Sequence, residues 1–480
     1  MKKNQPFFKK IIMMLLCACF ILAHASITSF AEEKTYIIGT DTTFAPFEYQ
    51  DVNGNYVGID IDLIKAVAKH SGFSIELRPM GFSAAVQALE AGQIDGVIAS
   101  MTITSQRQQT FDFSDSYYES GIGVAVSSNS SIQSLEDLSG KNVAVKIGTQ
   151  SADYAESVKD KYHFTITTYE DSANMYQAVV SQNSAAAFED YAVMAYSISN
   201  QNLPLTLLNI NANSAPIGFA VLKGKNPELI NMFNSSLQAF RSDGTYQNIL
   251  NTYLGEASQQ NQERTDFIGL IQTNFGTLMG GLWNTLWITF IAIVLALIIG
   301  ILFGLMKTSH HAIPRLIATF YIDLMRGVPL IVLAFFIYFG IPQATGFRME
   351  AALAGIMTLS LNAAAYIAEI VRGGIAAVDK GQTEASVSLG LTYATTMRTV
   401  ILPQAIRIMV PSFINQFVIT LKDTSILSVI GLVELTQTGK LIIARNLQSS
   451  QMWLIIGILY LIVITILTKL SAHLEKQIKQ

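Results

Sequence analysis

Cysteine is almost absent from this 480-residue sequence, whose two cysteines, Cys17 and Cys19, both lie in one apolar run near the N-terminus. The rest of the chain therefore has no disulfide framework and no cysteine-based metal site, and we expect no bound metal. Charged residues make up only 14% against 50% hydrophobic residues, which excludes a disordered chain and disfavours a purely soluble protein. The formal net charge of −4 gives no basic field, so nucleic acid is not expected as a partner.

The N-terminal segment has the pattern of an export signal. Four lysines within the first ten residues precede an apolar stretch over 11–23, and small residues around Ala31 offer a cleavage point. These features are typical of a secretory signal peptide over 1–31, although an uncleaved anchor helix would have the same pattern. Either alternative places the segment that follows outside the cytoplasm.

The first half of the chain alternates short strand patterns with helical ones. Strand patterns occur at 36–39, 74–77, 96–99 and 142–145, and helical patterns include 61–70 and 83–91. Strands and helices that alternate at this spacing predict parallel βαβ units. Ligands of such folds bind at the carboxyl ends of the strands.

The second half is strongly apolar. We interpret 256–275 as a polar linker, followed by a membrane domain over 276–475 with five candidate spans at 281–306, 317–341, 349–371, 408–435 and 452–468. With the first half outside, five spans place the C-terminus in the cytoplasm. Lys307, Arg315 and Arg372 then fall in cytoplasmic segments, as the positive-inside rule requires. The sequence thus predicts a multi-pass plasma-membrane protein in contact with the lipid bilayer.

Several motifs of the first half occur in a characteristic order. They are G-T-D-T-T-F-A-P-F-E at 39–48, G-I-D-I-D-L at 58–63, M-T-I-T at 101–104 with Arg107, and F-D-F-S at 111–114. This series resembles the periplasmic solute-binding proteins for polar amino acids. The resemblance implies a two-lobe α/β clamshell of the type II periplasmic-binding-protein kind over 34–255. Carried over, lobe one is 34–124 and 217–255, and lobe two is 125–216.

The resemblance also assigns residues to the charged groups of a free amino acid. Arg107, assisted by Thr102, is expected to bind the carboxylate through two parallel charge-assisted hydrogen bonds. Asp190 matches the acidic partner of the ammonium, with help from the Ser100 carbonyl. Phe44 and Phe82 match the aromatic walls that enclose the ligand and exclude water.

Four further positions bear on the ligand side chain. Asp41 and Lys146 match residues that bind the side-chain amide in glutamine-binding members. An amide has a donor and an acceptor, so an acid together with a base suits it, and we favour glutamine, followed by asparagine or glutamate. Gln150 stands where the family often has glycine, and Glu189 replaces the histidine of some glutamine binders.

Motifs of the second half point to a permease. Glu384, Ala385 and Ser386 are followed by Gly390 and by I-L-P-Q-A at 401–405, a series that is similar to the EAA loop of ABC importer permeases. Segments 326–330, 366–369, 372–374 and 421–425 resemble the polar amino-acid group of that family. The resemblance covers about 278–471 and implies an all-α, five-span type I ABC importer transmembrane domain.

The EAA-like loop implies a partner that supplies energy. A short helix interrupted at Gly390 and ended near Pro403 is expected to dock on an ATPase through Glu384, Ala385 and Gly390. The sequence itself contains no G-x-x-x-x-G-K-[ST] loop, so we expect no enzyme activity and no cofactor in this chain. ATP and Mg²⁺ would be used by a homodimer of ABC ATPase subunits bound to a homodimer of this chain.

Four polar or charged residues fall inside or near the predicted spans. Ionisable groups at such positions are costly and usually functional. They either line a translocation path or hold spans together, and the sequence leaves both alternatives open: Asn362, Glu369, Lys422 and Asp423.

Three other functions are known for such clamshells, and the rest of the sequence disfavours each of them. A ligand-gated channel with the same clamshell has pore helices inserted within the clamshell sequence, whereas here the spans follow it. A transmembrane sensor needs an output domain, which we do not expect in the short segment after 468. An enzyme built on the clamshell would have no use for a five-span permease.

Overall fold

The computed structural model describes residues 34–201, 203–210, 214–254 and 266–479. The predicted signal peptide over 1–31 and residues 256–265 of the predicted linker lie outside the described residues. The strands are, in chain order, β1 (Thr35–Thr40), β2 (Thr43–Phe44), β3 (Glu48–Gln50), β4 (Tyr56–Val57), β5 (Ser74–Pro79), β6 (Gly96–Val97), β7 (Phe111–Phe113), β8 (Tyr118–Ser120), β9 (Ile122–Ser127), β10 (Asn142–Lys146), β11 (Thr165–Tyr169), β12 (Ala186–Asp190), β13 (Leu205–Leu207), β14 (Ala215–Ile217) and β15 (Ala220–Leu222).

The α-helices follow the same chain order. They are α1 (Ile59–Ser71), α2 (Phe82–Glu90), α3 (Gln150–Tyr162), α4 (Ser172–Val180), α5 (Tyr191–Asn200), α6 (Pro227–Asp243), α7 (Thr245–Leu254), α8 (Phe267–Lys307), α9 (Ala312–Gly327), α10 (Leu330–Phe335), α11 (Ile341–Thr345), α12 (Ala351–Ala376), α13 (Lys380–Ser388), α14 (Tyr393–Thr396), α15 (Leu402–Asp423), α16 (Leu435–Asn446) and α17 (Ser449–Lys479). Two π-helical segments, Phe336–Gly340 and Met397–Ile401, and a 3-10 segment, Thr424–Ile430, lie between helices of the second half.

Lobe one is built on a five-stranded sheet in the order β5-β1-β6-β15-β7. β1 pairs in parallel with β5 and β6, which confirms the predicted βαβ units, whereas β15 is antiparallel to both of its neighbours. Buried apolar side chains such as Ile38, Leu63 and Phe233 form a core between the sheet, α1 and α6. A small sheet of β2, β3 and β4 extends the lobe.

Lobe two repeats this plan with the order β11-β10-β12-β9-β13, in which β10 is parallel to β11 and β12. The whole of β9 belongs to this sheet, and Ile122 already pairs with Asp190. The first lobe boundary therefore lies at Gly121 and not at 124, because the chain joins the second sheet as soon as it leaves β8. β8 and β14 pair antiparallel and form the two crossings between the lobes.

The second half is a helical bundle. Among the described residues, four helical stretches are long and apolar enough to cross a membrane: Phe267–Lys307, Ala351–Ala376, Tyr393–Ile430 and Ser449–Leu470. A fifth candidate is a pair of helical segments bent by 104°. Glycines allow the closest approach between helices, since a Cβ added at Gly300 would lie 2.6 Å from Cγ2 of Ile367 on α12.

Three details of the predicted spans are corrected by this bundle. The range 317–341 is broken at Pro329, because the residue before a proline is disfavoured in a helix. The range 408–435 overruns, since the helical stretch ends at Ile430 and Gly431 takes a left-handed φ of 80°. Pro403 does not end the helix after Gly390. It lies in the first turn of α15. Proline has no backbone N–H to donate, and the π-helical segment before it accommodates the missing hydrogen bond.

The predicted linker also ends earlier than 275. The Asp266 side chain accepts a hydrogen bond from the Gly269 amide at 3.2 Å and so begins α8. With 41 residues, α8 is about 62 Å long, twice the hydrocarbon thickness of a bilayer. Its first turns therefore extend beyond the apolar part of the bundle and contact the two-lobe domain.

Candidate functional site

A cavity lies between the two lobes. Its lining includes all nine residues that the sequence singled out for ligand binding: Asp41, Phe44, Phe82, Ser100, Thr102, Arg107, Lys146, Gln150 and Asp190. Lobe one supplies the first six of these residues and lobe two the other three. The cavity is therefore completed only when both lobes face each other.

Arg107 spans the cavity from lobe one to lobe two. Its Nη1 donates to the Thr102 carbonyl at 3.0 Å, and its Nη2 donates to the Gly148 carbonyl of lobe two at 2.9 Å. The guanidinium carbon lies 5.4 Å from the centre of the Phe82 ring. Burial lowers the pKa of Arg107 without removing its charge, so the cavity contains a fixed cation with a planar set of donors.

Asp190 provides the opposite charge at the end of β12. Its Oδ1 accepts from the Ala192 amide at 3.0 Å and thereby caps α5. Burial raises the pKa of this carboxyl to about 6, and an ammonium group placed beside it would lower the pKa again. Arg107 and Asp190 thus present a cation and an anion to one cavity, as a zwitterion requires.

Asp41 and Lys146 form an ion pair between the lobes. The Lys146 Nζ lies 2.5 Å from Oδ2 of Asp41, and both side chains are almost completely buried. Oδ1 of Asp41 accepts from the amide and the hydroxyl of Thr43. Burial alone lowers the pKa of Lys146, but the nearby carboxylates of Asp41 and Glu189 outweigh it and raise the pKa. The Lys146 ammonium therefore stays charged in this buried position.

The aromatic residues stand where the predicted walls require them. Phe44 and Phe82 are both buried, and the Lys146 Nζ lies 4.5 Å from the centre of the Phe44 ring. Phe82 begins α2, and Gln150 begins α3 after the capping residue Thr149. The structure therefore brings these predicted site residues together through the starts of helices, at the carboxyl ends of the sheets.

Glu189 is a cavity residue that the sequence did not place in the site. It is fully buried, and its Oε2 accepts from the Ser172 hydroxyl at 2.7 Å. Burial raises its pKa to about 7, although Lys146 opposes the shift. The signals in the sequence were its place directly before Asp190 and its match to the histidine position of some glutamine binders.

Two further buried carboxyls support the cavity from below. Asp60 Oδ2 accepts from the Ser100 amide at 2.7 Å and from the Tyr117 hydroxyl at 2.8 Å, and Glu48 Oε2 accepts from the Ser100 hydroxyl at 3.3 Å. These bonds hold Ser100 at a left-handed φ of 48°, which is uncommon for a residue other than glycine. Asp60 also lies in the first turn of α1, where acidic residues are favoured.

In the helical half, the four polar residues of the predicted spans do not form one cluster. Glu369 on α12 pairs with Lys307 at 2.5 Å and with Arg372 at 2.9 Å, and Asn362 donates to the Met325 carbonyl at 3.1 Å. These contacts tie α12 to α8 and α9, which favours the alternative that they hold helices together.

Lys422 and Asp423 lie elsewhere, in the last turn of α15. Lys422 is exposed and Asp423 is half-buried. The 3-10 segment that follows them packs against lobe one, where Ile430 shares an apolar core with Met80. The two residues therefore lie near the lobes, at the opposite end of the bundle from the pair formed by Glu369 and Lys307.

The predicted coupling loop projects from the bundle. Glu384 and Ala385 are exposed on α13, and Gly390 takes a left-handed φ of 77° that ends this short helix. Three large apolar side chains in the same loop are exposed as well: Val387, Leu389 and Tyr393. Ser386 points inward and donates to the Gln382 carbonyl at 2.7 Å.

Comparisons with known proteins agree with this geometry in both halves. Residues 36–256 match the bacterial extracellular solute-binding proteins, family 3, and residues 296–480 match the binding-protein-dependent transport system inner membrane component. The glutamine transport system permease protein GlnP of Escherichia coli is 41% identical over 164 residues, which cover 34% of this chain and 75% of that protein. The chain belongs to the amino-acid ABC importers.

Relatives of the first half are binding proteins. The arginine-binding extracellular protein ArtP of Bacillus subtilis is 33% identical over 242 residues, which cover 49% of this importer chain and 94% of that protein. A solved structure of an ancestral arginine-binding protein bound to arginine is 39% identical, with a TM-score of 0.44, and covers 46% of this chain and 99% of that one. The importer is thus a binding protein and a permease in one polypeptide, and a channel or a sensor is not favoured.

The described part of the importer contains no recognisable metal site. No group of three or more His, Cys, Asp or Glu side chains there is arranged to hold a metal ion. The cavity instead offers one guanidinium, one ammonium and several carboxyls, the partners of an organic zwitterion.

The buried carboxyls predict how the stability of the importer depends on pH. Burial raises the pKa of Asp60 to about 6 and that of Glu48 well above its usual range, with Asp41 and Asp60 adding to the shift of Glu48 and Lys146 opposing it. Because both groups titrate near 4 when unfolded, their contribution to stability is complete below about pH 4 and is lost as pH rises through the folded pKa.

We therefore expect the unfolding temperature of the binding domain to fall between pH 5 and pH 8, and Glu48→Gln to make that fall shallower. Each raised group costs up to about 1.4 kcal/mol per pH unit across its window. Thermal unfolding of the purified chain, followed by fluorescence, measures the slope. Glu90→Gln, which changes an exposed carboxyl of α2, is the matched control, and equal slopes in all three proteins would refute this prediction.

Proposed function

We propose that this chain is the binding and permease subunit of an ATP-driven importer for glutamine, with asparagine or glutamate as the next preferred ligands. One observation carries the preference for an amide side chain: the buried ion pair of Asp41 and Lys146 lines the same cavity as Arg107 and Asp190. Arg107 and Asp190 suit the carboxylate and the ammonium of an amino acid. The ion pair of Asp41 and Lys146 is left for the ligand side chain.

The ion pair offers an acceptor and a donor within one water-excluded site. An amide uses both, whereas a glutamate side chain would face the Asp41 carboxylate and a lysine side chain would face the Lys146 ammonium. A buried charge without a partner is costly. The penalty for binding a charged side chain beside this pair is therefore expected to exceed the gain from binding a neutral amide. The similarity to the glutamine permease protein GlnP supports the same choice.

Arginine is a candidate ligand of a different charge class, and Glu189 is the observation that favours it. With Asp41 neutralised by Lys146, Glu189 is an additional buried carboxyl in the cavity, and it would suit a guanidinium. Several relatives are named for arginine, among them ArtP. The protonation of Glu189 decides between the two ligands, because a neutral Glu189 offers a hydrogen bond to an amide but no charge to a guanidinium.

Calorimetry of the purified full chain with each common amino acid tests the preference. We expect L-glutamine to bind most tightly, with L-asparagine and L-glutamate weaker and L-arginine weaker still. Lys146→Met serves as the matched variant, because it removes the ammonium but keeps an unbranched side chain, and it should shift the preference toward L-arginine. Tight binding of L-arginine with no binding of L-glutamine would overturn the glutamine assignment and leave the importer function intact.

The proposed membrane arrangement follows from the charges and the helices. The binding domain lies outside the cell after a signal peptide over 1–31, five spans follow with the bent pair α9–α11 counted as one, and the C-terminus is cytoplasmic. Lys307 and Arg372 support this orientation, since both lie at the ends of helices on the side of the coupling loop. Two copies of the chain form the translocation path.

The proposed energy source is a separate dimer of ABC ATPase subunits that uses ATP and Mg²⁺. Its contact on this chain is the exposed loop around Glu384, Ala385 and Gly390. Exposed apolar side chains beside an exposed acid are typical of a surface that a protein partner covers, and Leu389 is 81% exposed.

A further inference from the structure

One end of α16, residues 444–447, touches both lobes of the clamshell. From this end, Arg445 Nη1 donates to the carbonyl of Asp51 at 2.6 Å and to that of Gln50 at 3.3 Å, both in lobe one. From lobe two, Gln201 Nε2 donates to the carbonyls of Arg445 at 2.8 Å and Ala444 at 3.3 Å. A single helix end is thus bound by two bodies that move relative to each other when a clamshell opens.

Apolar contacts reinforce the attachment to lobe two. Leu447 caps α16 at a left-handed φ of 56° and packs against the lobe-two core that contains Met175 and Tyr176. Ala173, in the first turn of α4, is buried among permease side chains that include Ile442 of α16. Lobe two is therefore attached to α16 by buried apolar contacts as well as by the hydrogen bonds of Gln201.

The same contacts lie close to the ligand cavity. Glu189 lines the cavity and accepts from the hydroxyl of Ser172. Ser172 is the neighbour of Ala173, which packs on the permease. A displacement at Glu189 when a ligand binds is therefore one residue away from the surface that meets α16.

Lobe one is held separately and firmly. Gln93 is fully buried, its Nε2 donates to the Tyr338 carbonyl at 2.5 Å, and its Oε1 accepts from the Met349 amide at 2.8 Å. Arg348 donates to both oxygens of Asp95, at 2.6 and 3.0 Å. With lobe one fixed by these bonds, opening of the clamshell displaces lobe two relative to α16.

α16 is itself packed tightly into the bundle, so it cannot move alone. A Cβ added at Gly439 would lie 1.9 Å from Cδ1 of Ile456 on α17, and one added at Gly281 of α8 would lie 2.3 Å from the Thr438 hydroxyl. At the other end of α16, the capping residue Glu434 accepts from the Tyr460 hydroxyl at 3.0 Å. A force on residues 444–447 is therefore passed to α8 and α17, two of the candidate spans.

We propose that the end of α16 detects closure of the clamshell. Here both lobes bind this helix end while Arg107 with Gly148 and Asp41 with Lys146 bridge the lobes across the cavity. Gln201 and Arg445 are then positioning residues, which act on transport through α16 and do not touch the ligand. This inference rests on the importer function and not on the preference for glutamine.

Reconstitution of the full chain with its ATPase in liposomes tests the proposal. ATP hydrolysis is measured with and without an equimolar mixture of the twenty common amino acids, so the result does not depend on which one is bound. For Gln201→Ala we expect the maximal stimulation by amino acids to fall about fivefold or more, which is the usual scale of coupling between two sites. The basal rate, the half-saturating concentration and the unfolding temperature should stay as in the unaltered chain.

Two further variants keep the test decisive. Arg445→Lys retains the charge but loses the forked donor and should show the same selective loss of stimulation. Gln133→Ala removes an exposed glutamine side chain of lobe two and should behave as the unaltered chain. Normal stimulation in Gln201→Ala, an equal loss in Gln133→Ala, or no stimulation of the unaltered chain would each overturn the proposal. Binding of glutamine, measured separately, reports on the proposed function.

Discussion

Arg107→Ala is expected to weaken amino-acid binding by at least two orders of magnitude. The guanidinium is the fixed cation of the cavity, and two charge-assisted hydrogen bonds to a carboxylate contribute roughly 3–6 kcal/mol together, or about a hundredfold to ten-thousandfold in affinity. Its bond to the Gly148 carbonyl also joins the two lobes, so the variant loses part of the closed arrangement as well.

Equilibrium binding to the purified chain measures this loss, with two variants beside it. Arg107→Lys keeps the charge but not the two parallel donors. Its affinity for the amino acid should lie between those of the unaltered chain and Arg107→Ala. Arg241→Ala, which removes an exposed guanidinium bonded to the Ser116 carbonyl of lobe one, should bind normally. An Arg107→Ala variant that binds its amino acid within threefold of the unaltered chain would rule out Arg107 as the carboxylate partner.

Glu384→Lys is expected to abolish most of the ATP-driven uptake while leaving ligand binding unchanged. Glu384 is exposed on α13, and the structure gives it no part in the packing of the bundle, so reversing its charge should not unfold the permease. At the proposed contact with the ATPase, a wrong charge is costly, and we expect uptake to fall tenfold or more.

Uptake of labelled amino acid and binding are measured on the same preparation. The control is Glu136→Lys, which reverses an exposed acid in lobe two, far from the coupling loop in sequence, and should transport normally. Unchanged uptake in Glu384→Lys would contradict the docking role of the loop. A parallel loss of binding would instead indicate a folding defect.

The parts of the fold that sequence predicts well are those with a clear period. Alternating apolar residues of β1 and the helical spacing of α1 gave strands and helices within one to two residues of their observed ends. The cavity was predictable for a related reason. Its nine residues occur in an ordered series of motifs, and the parallel sheets bring the ends of those motifs together.

The parts that were missed depend on contacts between distant segments. The burial of Glu48, Asp60 and Glu189 was not predictable, because nothing local in the sequence shows that Tyr117 or Ser172 will provide the hydrogen bonds that allow it. Five of the twelve residues of helix α16 are Thr, Gln, Lys or Arg, and the helix has no strong period. It is stabilised by close packing against α8 and α17, which only the assembled bundle reveals.

Proline was the least reliable guide in the permease. Pro329 breaks the predicted span over 317–341, whereas Pro403 lies inside a continuous helical stretch. The difference arises from the residues before each proline, since a π-helical turn at Met397–Ile401 accommodates Pro403 and Val328 adopts an extended conformation before Pro329.

ATP-driven uptake of labelled L-glutamine into liposomes that contain the purified chain and its ATPase tests the central claim most directly. The claim is that the clamshell captures an amino acid through Arg107 and passes it to the helices of the same polypeptide. We predict that uptake accumulates L-glutamine, saturates at the concentration that half-fills the cavity, and disappears in Arg107→Ala. Uptake of equal size in Arg107→Ala would contradict the account, as would a filled cavity with no accumulation of any amino acid.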